Sequence, residues 1–256
     1  RGSPHCREAR VNSPGRVRAF LRLFAVQGDW NYERMLGVGM GYAAEPLLDD
    51  LKTVDPVRHT EAVVRSAEFF NSHPNLAGLA LGATARAEYD GVPGAQITRL
   101  RTALCSPLGA LGDQLFWAGL VPLLLGVSLV AVVFGARWWA VLGFLLLYNA
   151  ARVATGVWSL RTGLDAGMGV GGAIAKSWIS GAIERVGPAA GFAIGVALPL
   201  VADWYLDVIG WPGAVGALAV AATGVAVTRW FGAALTAVRF ALLALALLVL
   251  FRWVLP

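Results

Sequence analysis

SPLGALGDQLFW, Ser106 to Trp117, joins two kinds of chain. Before it the sequence is amphipathic and charged; after it long apolar runs dominate. Pro107, Gly109 and Gly112 permit backbone that is not plain helix, and broken backbone at membrane depth survives only where protein buries it or a cavity hydrates it. The functional centre is therefore expected near this junction. Composition agrees with a membrane reading: 57% of residues are hydrophobic and 14% charged, against roughly 25% charged in soluble domains. Working outward, apolar runs at about 115–134, 138–157, 188–206, 214–227 and 233–251 suit a bilayer core that needs ~20 residues per helix. The predicted class is an all-α integral membrane protein, with amphipathic and re-entrant N-terminal helices followed by about five apolar spans.

The net charge of +5 could suggest nucleic acid. No basic stripe interleaved with exposed aromatics supports that, and the positive residues cluster before the spans, which reads as a topology signal. It places the amino terminus in the cytoplasm and, with five spans, the carboxyl terminus outside. Two cysteines, Cys6 and Cys105, cannot form a disulfide framework and lie in no metal-binding spacing. Residues 1–16 lack the apolar core of a secretory signal and read as a disordered tail or a mis-set start. The remaining chain, 17–256, divides into amphipathic and re-entrant helices over 17–113 and transmembrane spans over 114–256.

Within the first part, Asp29 is expected to cap a helix that Pro46 closes. Gly37, Gly39 and Gly41 resemble a dinucleotide loop faintly, but no strand precedes them, so close helix packing is the expected use. RHTEAVVRSAEFF then reads as an amphipathic helix with Glu61 and Arg65 paired one turn apart. It ends at Asn71–Pro74. A second helix, Leu76 to Tyr89, presents small residues for close backbone approach, and the turn DGVPG follows. Further on, GLDAGMGVGG reads as a flexible connection rather than a phosphate cradle, because no Lys-Ser/Thr pair opens a helix after it.

Few residues offer chemistry. His5, His59 and His73 have no carboxylate at catalytic spacing, and Cys105 has no activating base, so structural roles are expected for all four. No catalytic residue, metal site or cofactor is predicted. Asp113 is read either as the N-cap of the following helix or as a group lining a polar pathway, since an ionisable side chain at the edge of a span is costly unless paired or hydrated. Asn149 and Arg152, inside the second span, raise the same question, and Arg152 can snorkel towards the interface. Glu33, Arg34 and Glu68 are expected to make intrahelical or interhelical pairs.

Four motifs taken in order resemble one family. QGDWNYERM (Gln27 to Met35), EFFNSHP (Glu68 to Pro74), SPLGALGDQLFW and NAAR (Asn149 to Arg152) are similar to motifs of the IID membrane subunit of the mannose/fructose/sorbose class of the phosphoenolpyruvate-dependent sugar phosphotransferase system. The resemblance implies a non-catalytic permease subunit of a bacterial inner membrane that pairs with a IIC protein, in a hetero-oligomer commonly described as trimeric. In that family a hexose moves inward and separate IIA and IIB proteins carry the phosphate. It also implies that the sugar contacts mainly IIC, which leaves Asn31, Glu33, Arg34, Asn71, His73 and Asp113, with Asn149 and Arg152, as candidates for subunit packing or the substrate pathway. Ser106 and Gln114 depart from the family's glycine and proline. That drift motivates an alternative, a divergent regulatory or interaction protein without transport, while an independent membrane enzyme lacks any nucleophile, base or metal cluster.

Overall fold

Small residues set the architecture. The structure, a computed structural model, describes residues 13–231. Helix α5 (Ala77–Tyr89) is buried on every side except at Arg86, and its partner is α8 (Arg137–Ala166). At the contact there is no room for side chains: a Cβ added to Gly82 would lie 2.6 Å from the Leu160 carbonyl oxygen, and one on Gly163 would lie 3.0 Å from the Ala83 amide nitrogen. The two backbones touch, as the small residues of α5 led us to expect.

Around α5 stand α1 (Ser13–Leu23), α2 (Gly37–Leu48), the short α3 (Leu51–Val54) and α4 (Pro56–Ser66). Residues 13–16 thus form the first turn of α1. The glycines of α2 are packing positions as predicted: Gly37 lies against the Ala67 and Glu68 carbonyls, Gly39 against Val26 and Gly41 against Ala67. Asp55 caps α4, its carboxylate accepting from the Arg58 amide at 3.0 Å with Pro56 in the first turn. Glu88 of α5, 3% exposed, is neutralised by Arg58 and Arg65 of α4, each 2.9 Å away. This corrects the expected Glu61–Arg65 pair, because a buried carboxylate draws the arginine inward while Glu61 stays in solvent.

Two other local readings change. Asp29 caps no helix; residues 24–36 run as successive turns, and α2 starts only at Gly37. Nor does Pro46 close α2, which runs on to Leu48. Proline cannot donate to the Tyr42 carbonyl one turn back, and the Arg22 guanidinium donates to it instead at 2.8 Å.

The junction stretch does not break. Helix α6 (Gly94–Gly112) passes through Pro107 and widens into a π-helix, Asp113–Leu120, before α7 (Val121–Val133). Asp113 is therefore no N-cap, since Gly112 before it is already helical. The GLDAGMGVGG segment is also ordered: α8 continues to Ala166, a turn of 3₁₀-helix covers Gly167–Gly169 with Gly167 at φ +52°, and α9 spans Val170–Ala175. Val170 is buried in the core, which explains why the connection is not loose.

Three stretches among the described residues are long and apolar enough to cross a membrane: Gly94–Val133, Arg137–Ala175 and Ile179–Tyr205. The first, at ~1.5 Å per residue, is about 60 Å long and so extends well beyond a ~30 Å core. Its polar first half, with Arg99 and Arg101, stands among the N-terminal helices. Gly119 lies against Val186 and Gly126 against Ala193, so α7 runs parallel to the start of α10 (Ile179–Phe231), with α8 antiparallel between them in sequence. By internal contacts the chain divides into one unit to Leu198 and another from Pro199. In the second unit α10 kinks at Gly210, where φ is +67°; the expected 214–227 span lies beyond that kink, and the expected 233–251 span lies outside the described residues.

Replacing Gly82 by valine should force α5 from α8 and destabilise the protein by at least ~1–3 kcal/mol. Gly143→Ala, where the added Cβ meets nothing within 4 Å, should not. Thermal midpoints of the two variants purified in detergent check this, and equal midpoints would contradict backbone contact.

Candidate functional site

The four motifs fold towards one another. In QGDWNYERM, Asn31 organises a turn by accepting from the amides of Glu33 (3.1 Å) and Arg34 (2.8 Å). The chain then pairs with EFFNSHP: the Leu36 amide donates to the Phe70 carbonyl at 2.8 Å, and the Phe70 amide to Arg34 at 3.2 Å. Arg101 of α6, 3% exposed, holds EFFNSHP from below. Its guanidinium donates to the Ser66 carbonyl at 2.6 Å and the Glu68 carbonyl at 2.7 Å and lies over the Phe70 ring. These are the carbonyls that the end of α4 leaves open, and a cation is the fitting cap.

EFFNSHP ends on His73, which enters the core beside the third motif. Its side chain fills the space that the missing Cβ of Gly112 leaves. The ring stacks on Phe116, with centroids 5.0 Å apart and planes at 14°, and meets the edge of Trp117. Nδ1 accepts from the Asn75 amide at 3.3 Å, which places the proton on Nε2. That Nε2 is buried without a partner among the described residues. Burial pushes the imidazole below its ordinary value; the Asp113 carboxylate opposes this and Arg152 adds to it. His73 is therefore held neutral.

Arg152, from the fourth motif, reaches the same neighbourhood. It lies between the rings of Phe24 and Tyr148, 5.7 and 5.9 Å from their centroids, and donates to Asn149 at 3.5 Å. It forms no ion pair with any described carboxylate. Beside it a cleft lined by Gln27, Asn75, Phe24 and Gly156 has a volume of about 30 Å³. That admits a water or two and no hexose.

Of the predicted residues, the structure thus groups His73, Asp113, Arg152 and, through Arg152, Asn149. Asn31 builds the neighbouring turn. Glu33 and Arg34 contribute their backbone amides, but their exposed side chains make no ion pair among the described residues, which corrects the expected pairing; Glu68 likewise contributes only its carbonyl. Asn71 is exposed and makes no side-chain hydrogen bond among those residues. Sequence reasoning missed Arg101 and the rings of Phe24, Phe116 and Tyr148. Phe116 sat inside a quoted motif; Arg101 was signalled only by a charge on a helix leading into a span. No group of three His, Cys, Asp or Glu among the described residues could hold a metal ion.

With this arrangement in view, comparison with known proteins is informative. The family described as "PTS system mannose/fructose/sorbose family IID component" matches residues 11–204, which include all four motifs. The chain belongs to this family. Relatives include the mannose-specific EIID component of Escherichia coli K12, 30% identical over 59% of this chain and 55% of that protein. The fructose permease IID component of Bacillus subtilis is 31% identical over 63% and 60%. The chain spans about half the length of the curated relatives it matches. A solved complex of the mannose transporter ManYZ with microcin E492 contains a chain of similar fold, with a TM-score of 0.58, 24% identity and coverage of 74% of this chain and 70% of that one. Another membrane protein structure matches at a TM-score of 0.66 and 23% identity, over 73% and 70%. The IID family and the helical membrane fold agree with the resemblance drawn from the motifs.

The lowered His73 value fixes a pH dependence. The unfolded chain takes up a proton near pH 6.5 that the folded chain refuses, so stability is complete above that value and falls as pH drops below it. Unfolding measured from about pH 8 to about pH 5 should show this slope, and His73→Gln should flatten it. An unchanged slope in the variant would place the titrating group elsewhere.

Proposed function

We propose that the chain is a non-catalytic membrane permease subunit of a mannose-class phosphotransferase system. It pairs with a IIC subunit to move a hexose inward, and separate IIA and IIB proteins phosphorylate the sugar. The observation that carries this reading is the convergence of the four family motifs, within the matched stretch, on the cluster of His73, Gly112, Phe116 and Arg152. Every contact in that cluster is packing, stacking or a structural hydrogen bond. A cleft of about 30 Å³ beside it also supports a sugar path lined chiefly by the partner.

Under this reading the assembly is a trimeric hetero-oligomer in a bacterial inner membrane. The amino terminus is cytoplasmic under this reading, supported by the concentration of arginines and lysines before the first apolar span. Half-buried Asn31 and exposed Glu33, Arg34 and Asn71, with His73, Asp113, Asn149 and Arg152, serve subunit packing or the substrate pathway. Gln114 lies inside a continuous helix where the family's proline would remove an amide donor, and this favours a second reading, a regulatory relative that binds phosphotransfer proteins without transport.

Affinity isolation of the tagged chain from native membranes, in mild detergent, tests both. Co-purification of IIC with IIA or IIB, and loss of phosphoenolpyruvate-driven sugar phosphorylation on deletion, are the expected results. Recovery with a soluble phosphocarrier but no IIC would favour the regulatory reading. Arg152→Gln should lower sugar uptake about tenfold or more, with IIC still bound.

A further inference from the structure

Helix α1 lies along α8 and leaves a cavity of about 290 Å³ between them, close to the ~300 Å³ lower bound of ligand clefts. Its walls are of two kinds. Val17, Phe20, Val157, Leu160 and Leu164 make an apolar floor, and Arg16 and Arg161 bring one cation from each helix. No carboxylate lines it. The other two arginines of α1 are answered by acids, Arg22 by Glu45 of α2 and Arg18 by Asp49 just past the end of α2 at 3.7 Å. Arg16 and Arg161 belong to no ion pair among the described residues, although Asp165 sits one turn from Arg161.

Depth along α8 supplies the second observation. Exposed Trp138 and Trp139 mark one end of the span, and Trp158, edge-on to Trp178 at 5.4 Å, lies twenty residues further on. At ~1.5 Å per residue the two aromatic levels are about 30 Å apart, the thickness of a hydrocarbon core. Arg161 stands one turn beyond the second level, at the depth of lipid phosphates. The floor residue Val157 lies on the hydrocarbon side of it.

We propose that this groove binds one anionic phospholipid, with the phosphate held by Arg16 and Arg161 and an acyl chain against the floor. Paired cations at headgroup depth above an apolar wall match a molecule that is anionic at one end and aliphatic at the other. A bound lipid would complete the α1–α8 interface and tie the amphipathic layer to the membrane. The inference is independent of the sugar and of the IIC partner.

The full chain in nanodiscs of phosphatidylcholine doped with phosphatidylglycerol, released and weighed by native mass spectrometry, provides the test. One retained phosphatidylglycerol per chain is expected. Arg16→Gln with Arg161→Gln should weaken its retention about thirtyfold, whereas Arg99→Gln with Arg185→Gln, an equal charge loss at exposed sites elsewhere, should leave it unchanged. Equal retention by both double variants, or equal retention of phosphatidylcholine, would overturn the proposal. So would release of the lipid by inorganic phosphate or glycerol 3-phosphate alone, since that would show a free-phosphate site.

Discussion

The fold depends on two backbones in contact. Because Gly82 and Gly163 let α5 and α8 meet without intervening side chains, a helix that does not span the bilayer is welded to one that does. In lipid there is little hydrophobic gain in bringing helices together, so close van der Waals packing at small residues must do it. The consequence reaches both ends of α5. At one end Glu88 draws Arg58 and Arg65 and fixes α4; at the other the 3₁₀ turn Pro74–Leu76 sets His73 against the first span.

Seen from that contact, the motif cluster is a joint between two layers. Arg101 rises from the first span to cap α4, and His73 descends from the amphipathic layer to stack on Phe116. Each crosses the boundary with its polar atoms managed differently. Arg101 spends its charge on two carbonyls that need donors. His73 stays neutral, since a charged imidazole between Phe116 and Gly112 would lose its hydration for no partner. Arg152 solves a similar problem with aromatic faces. A joint of this kind is rigid while its protonation states hold.

Much of this was legible in the sequence, and the part that was not follows a pattern. Spacing revealed the α5 small-residue face, the packing role of Gly37, Gly39 and Gly41, and the first three apolar spans, because each depends on residue size or hydropathy repeated along one element. Capping and pairing were read less well. Asp29 and Asp113 had the right local chemistry for caps but do not stand at helix starts, and elsewhere partners distant in sequence decided the outcome: Arg22 rescued the proline of α2, and Glu88 captured Arg65. The stretch from Ser106 to Trp117 was expected to interrupt the helix, and it does not. Gly112 serves the approach of His73 rather than a break in the helix, and a Cβ at Gly109 would meet nothing within 4 Å. The NAAR motif placed Arg152 in an apolar span, and of the two rings it lies between, Tyr148 is one turn back on the same helix while Phe24 comes from a distant segment that no local pattern connects to it.

The turn between α7 and α8 is only three residues, Phe134 to Ala136, with Gly135 at φ +90° and nothing packed on it. Among the described residues of the first unit this three-residue turn is the backbone that links the span pair at that end, bordered by two exposed tryptophans. A specific protein interface asks for ~800 Å² from each partner, which so small a projection does not offer. Among its described residues the first unit is thus nearly one-sided in what it can say to water: apart from Arg137 at this turn, its vocabulary of arginines, carboxylates and turns is gathered at the opposite end. The described surface that a soluble protein could recognise by charge lies there.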